Sequence, residues 1–140
     1  MANQYREMRR KHQAEVNNFP MKFAFGDEQV KKMLAEWKLS MNDLDKVVST
    51  GFGGYLLKTD VENYKAMGRR HSEEMKQAIE NDKTGDGFIY DMFIYELANH
   101  EYGYTGEVED TLGALGMTLE EINANPAMKH GFEKACSKFW

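Results

Sequence analysis

Glu96 and His100 stand four residues apart within TGDGFIYDMFIYELANHEYGYT (84–105). A helix from about Phe88 to Glu101 places them on one side with Ile89, Met92, Phe93 and Leu97, so a carboxylate and an imidazole interrupt an apolar stripe where side chains meet. His71 lies on the apolar side of a second predicted helix. Two imidazoles and a carboxylate could hold zinc with an open fourth position. The spacing departs from the helical metal motifs, however: HExxH sets two histidines at i and i+4, and ferritin-like sites use Glu-x-x-His. His71, Glu96 and His100 are therefore expected to be a buried hydrogen-bonded polar cluster, with no metal, no cofactor and no catalytic residue. A small metal-dependent enzyme using those three residues is the chemical alternative.

Other chemistry finds less support. Cys136 is the one cysteine of the chain, so no intramolecular disulfide or cysteine zinc site can form, and its place in an apolar stripe suits a small hydrophobe. There is no Gly-x-Ser-x-Gly elbow. Gly51-Phe-Gly-Gly54 could approach a phosphate, but a helical pattern precedes it and a strand-like pattern follows, the reverse of a phosphate cradle. Arg9-Arg10-Lys11 and Arg69-Arg70 are too small as basic clusters for direct nucleic-acid binding.

Charge is distributed unevenly along the 140 residues. The net charge is −5, yet from 84 to 128 there is no Lys or Arg, and the nine acidic side chains from Asp86 to Glu121 give that span −9. A negative face follows. Tyr90, Tyr95, Tyr102 and Tyr104 interleave with Asp86, Asp91, Glu101, Glu107, Glu109 and Asp110, and tyrosine makes a large contact with few torsions to freeze. This set is expected to bind a basic protein partner, such as a nucleic-acid-binding protein. A solvated acidic surface and a homo-oligomeric structural role are the alternatives. The charged N-terminus lacks a signal-peptide core, and no apolar run nears the roughly 20 residues of a membrane span. A cytoplasmic protein with no membrane partner is expected.

The elements that must position these residues are read from periodicity. Asn3–Asn18 is predicted as an amphipathic helix with Tyr5, Met8, His12 and Val16 inward and Arg6, Arg9 and Arg10 mostly elsewhere. Residues 21–25 and 54–58 are predicted as paired strands. Asp27 is predicted to cap a helix bearing Val30, Met33, Leu34 and Trp37. Ser40 and Asp43 form a capping box for a helix through Val47 and Val48, and Thr59 and Glu62 another for a helix to Glu80. Gly68 in that helix suggests close approach of a neighbour. Gly103–Gly106 is predicted as a loop. Short helices follow at 108–115 and after Thr118, then a last helix with Asn125 as N-cap and Pro126 at its first position. The expected class is α+β, mainly α: a single compact helical domain (1–140, with 1–19 a variable N-terminal helix and 20–140 the core) carrying one short two-stranded ribbon.

MKFAFGDEQ, GFGGYLLKTD, TGDGFIYDMFIYELANHEYGYTG and LGALGMTLEEINANP together resemble a family of small uncharacterised proteins of gut-type Gram-positive bacteria and of phages and mobile elements, over about residues 20–137. That family has no assigned activity, so the resemblance implies no site. Its mobile-element setting implies a small interaction protein, such as an inhibitor of a host defence protein.

Overall fold

The computed structural model describes residues 2–140. The described residues form eight α-helices and a small antiparallel sheet: α1 (Gln4–Asn18), α2 (Asp27–Glu36), α3 (Val61–Asn81), α4 (Phe88–Asn99), α5 (Tyr102–Thr105), α6 (Glu109–Leu115), α7 (Leu119–Asn123) and α8 (Pro126–Ser137), with strands β1 (Met21–Phe23), β2 (Val47–Gly51) and β3 (Gly54–Leu57). The class is α+β, mainly α. No helix among the described residues is long and apolar enough to cross a membrane. The chain divides into two compact units, one formed by the N-terminal stretch through His12 with Glu73–Trp140, the other by Gln13–Ser72.

In the Gln13–Ser72 unit the sheet has strand order β1-β3-β2, with Met21 opposite Leu56 and Val48 opposite the other side of Leu56. The ribbon is therefore three-stranded rather than two-stranded. Ser40 accepts from the backbone N–H of Asn42 and Asp43 accepts from that of Ser40, so the capping box forms. It opens only a 3-10 turn, Met41–Lys46, and Val47-Val48 goes into the sheet. Paired β-branched residues favour an extended pleated surface over a helix end. The box at Thr59 does not form, because Lys58–Asp60 is itself a 3-10 turn leading into α3. Asp27 is the first residue of α2, and Gly26, at φ +91°, stands in the cap position instead. The core here is Ala24, Met33 and Leu34, with Val30, Trp37, Val47 and Tyr55 packed against them.

The other unit is built on α4. Ile89, Met92, Phe93 and Leu97 are buried with Leu112, Ile122, Met128, Phe132 and Ala135. Asp82 starts α4: its carboxylate accepts from the backbone N–H groups of Gly87 and Ile89, donors a helix N-terminus otherwise leaves unsatisfied, and from that of Gly85 in the loop before it. Asn125 caps α8 by accepting from Met128 N–H, and Thr118 caps α7 by accepting from Glu121 N–H. Gly103 does not lie in a loop: residues 102–105 form the single turn α5.

Two glycines behave oppositely. A Cβ at Gly131 would lie 2.6 Å from Ile89 Cγ2 and 2.7 Å from the Gly85 carbonyl, so α8 meets α4 through glycine's missing side chain. A Cβ at Gly68 would meet nothing within 4 Å, so no neighbour approaches there. Gly131→Ala is expected to lower stability by about 1–3 kcal/mol through overpacking, and Gly68→Ala to raise it by about 0.5–1 kcal/mol. Urea unfolding of both variants checks this, and the same sign for both would contradict the packing described.

Candidate functional site

Glu96 is 1% exposed in the last turn of α4. Its Oε1 accepts from the Tyr5 hydroxyl at 2.7 Å and from Arg9 Nη1 at 2.5 Å, and its Oε2 lies 3.2 Å from His100 Nε2. The Arg9 guanidinium also sits 5.8 Å from the Tyr5 ring centroid and 5.6 Å from that of Tyr95, a separation at which a cation is drawn to a ring face. Burial, and then the Glu96 carboxylate that accepts its proton, push the Tyr5 phenol far above its ordinary range. The periodicity of α1 put Tyr5 inward but assigned Arg9 to the outer face. Arg9 is one helical turn beyond Tyr5, and its long side chain reaches Glu96 while remaining half-exposed.

His71 pairs within its own unit. Its Nε2 lies 3.4 Å from Glu15 Oε1 in the Gln13–Ser72 unit, where Arg70 also bonds Glu15. Among the described residues no group of three or more His, Cys, Asp or Glu side chains is placed to hold a metal ion. Asp82, Thr84, Asp86, Gly87 and Ile89 follow the opening positions of a helix–loop–helix calcium loop. The closing position, a bidentate Glu in such loops, is here the fully buried Phe93. Both Asp82 oxygens already accept backbone N–H groups, so the loop works as a helix cap.

The acidic, tyrosine-rich set separates into two parts. In the first, each side chain is engaged within its own unit. Asp86 accepts from Lys134 Nζ at 3.0 Å and lies 2.7 Å from His130 Nε2. Those two partners, His130 foremost, hold its carboxyl below the usual range. Lys134 lies 4.7 Å from the Tyr90 ring centroid. Asp91 accepts from Gln4 N–H at 2.8 Å and so caps α1, and Tyr95 packs on Tyr5 at 5.5 Å. Tyr102 stacks edge-on against Phe139 and Trp140.

The second part is Glu101, Tyr104, Glu107, Glu109 and Asp110, all exposed. None of these four carboxylates forms an ion pair among the described residues. Tyr104 is 89% exposed. It shares with Ala98, Glu101, Gly103 and Phe139 an open groove of about 420 Å³. Gly103 shapes that groove, since a Cβ there would come 2.9 Å from Phe139 Cδ1. Glu101 terminates α4 at φ +59°, a left-handed conformation that favours Gly or Asn at a helix end.

Removing Glu96 strands Arg9 and the Tyr5 hydroxyl. Glu96→Ala is expected to cost about 3–5 kcal/mol, and Tyr5→Phe about 1–3 kcal/mol, in denaturant unfolding. The Tyr5 phenol has a raised pKa in the folded chain, so its contribution is complete below the unfolded value near 10 and lost as pH rises beyond it. The stability difference between the native chain and Tyr5→Phe should therefore shrink above about pH 10. A difference that stays constant there would contradict the buried phenol–carboxylate bond.

The family of unknown function DUF7659 matches residues 4–138, and the chain belongs to it. The match takes in α1, whose Tyr5 and Arg9 are tied to Glu96. No curated protein and no solved structure matches the chain.

Proposed function

We propose that this member of a family without an assigned activity is a non-enzymatic binding module whose exposed acidic residues Glu101, Glu107, Glu109 and Asp110, with Tyr104, dock on a basic protein. The observation that carries the reading is the contrast within the acidic segment. Asp86 and Asp91 have partners inside the fold, whereas the carboxylates from 101 to 110 form no ion pair among the described residues, and Glu101 lines a groove with a nearly fully exposed tyrosine. Unneutralised carboxylates beside a tyrosine suit an arginine- or lysine-rich surface, with the ring as contact area and the charges steering encounter. Strain at Glu101 fits the same purpose, because a glycine there would relax the helix end but remove a charge from the groove. The gut-bacterial and phage setting suggested by the sequence resemblance adds a more specific form: in the cytoplasm, the partner would be a host nucleic-acid-binding defence protein whose basic groove is occluded.

The test is capture from host lysate on immobilised chain, followed by mass spectrometry. The native chain should enrich basic proteins, and E107K/E109K/D110K should lose them at least tenfold. D45K/E62K/E80K carries the same charge change at exposed positions outside this face and should retain them. Capture should also weaken as salt rises, because exposed charges are screened within about 8–10 Å. Equal losses from both triple variants would replace a site with net charge alone, and a captured set that is not basic would overturn the reading.

A further inference from the structure

The Gln13–Ser72 unit exposes three phenylalanines at one end of its sheet: Phe23 at 63%, Phe25 at 66% and Phe52 at 99%. They lie close together about the β2–β3 turn. A Cβ at Gly53 would lie 2.3 Å from Phe25 Cε1, and one at Gly54 would lie 3.3 Å from Phe23 Cε1, so both rings rest on the β2–β3 turn whose tip is Phe52. Phe52 is held at φ +51°, a conformation costly for a bulky side chain. Local folding explains none of this exposure, since a polar residue such as Asn would satisfy that turn better.

We infer that this phenylalanine cluster is the contact surface for a second copy of the chain. Two observations select that occupant. The first is charge. Lys22, Lys32 and Glu36 border Phe23 in one groove, Asp27 and Glu28 follow Phe25, and Lys31 pairs with Glu28. Lys22 is already paired with Glu36 at 2.7 Å. Three cations and three anions make the rim neutral and interleaved, which suits a two-fold self-complementary contact. An anionic membrane or a nucleic acid would instead favour an unbalanced cationic rim.

The second observation is area. A Phe side chain offers about 150–250 Å², so the three exposures amount to roughly 350–550 Å² per copy. Two copies meeting through them bury roughly 700–1,100 Å², just under the ~1,200 Å² of the smallest stable specific interfaces. The contact is thus a weak, reversible dimer. Phenylalanines with charged residues beside them follow the usual order of an apolar core within a polar rim.

Sedimentation velocity from about 5 to 500 µM, a range that brackets weak association, tests this on the full chain. The native chain should shift reversibly from monomer toward dimer, and Phe52→Asn should weaken association at least tenfold while folding normally, because Asn tolerates the left-handed turn. Phe23→Ser is the second variant, expected to act in the same direction. E107K/E109K/D110K should leave dimerisation unchanged, which separates this surface from the acidic one. A native chain that stays monomeric throughout, or a dimer insensitive to both phenylalanine variants, would overturn the inference. So would Phe52-dependent binding to phosphatidylserine-containing vesicles by a monomer, which would assign the cluster to a lipid surface.

Discussion

A carboxylate stripped of water in an apolar helix face is the constraint that the Glu73–Trp140 portion of the molecule answers. Desolvating Glu96 costs several kcal/mol, and the cost is offset only by well-placed donors. Tyr5 and Arg9 on α1 and His100 at the end of α4 supply them. A fully apolar stripe would pack at least as well in energy, so the buried ion gives direction more than stability. It accepts α1 in one axial position only, the one in which a hydroxyl and a guanidinium arrive together. Asp91, five residues earlier on α4, reinforces that position by capping the first turn of α1.

The same economy accounts for the divided acidic segment. A span without a single Lys or Arg must draw its counter-charges from elsewhere in the chain, and α1 and α8 provide them through Arg9 and Lys134. Beyond α4 the supply ends, and the carboxylates of Glu101, Glu107, Glu109 and Asp110 face solvent. Glu109 and Asp110 lie in the first turn of α6, where the helix dipole favours negative charge, so part of this acidity has a local stabilising role as well.

Much of the helical framework was legible because burial and periodicity agree in it. The α4 stripe, the α8 stripe behind Asn125-Pro126 and the pairing of residues 21–23 with 54–57 could all be read from spacing. Capping signals were less decisive. Ser40 forms its box and Thr59 does not, since the same residue types suit a 3-10 turn equally well. Strand β2 was hidden because its Val47-Val48 also continues the apolar positions of the preceding turn, and only pairing with β3 decides between the two. In the polar cluster the intrahelical pair Glu96–His100 was visible, being four residues apart. Arg9 was not, because a long side chain can leave the outer face of its helix and end on a group 87 residues away.

That separation bears on how the protein is made. Tyr5 meets Glu96 across 91 residues of chain, so the first helix leaves the ribosome well before its partner exists. At about 5–20 residues per second the delay is roughly 5–20 s, during which Tyr5, Met8 and the guanidinium of Arg9 have no native surface to settle on. Closing so long a loop is entropically expensive and slow compared with forming the helix itself. The earlier-made helix thus waits for its partner, and in the interval its apolar side is open to a chaperone.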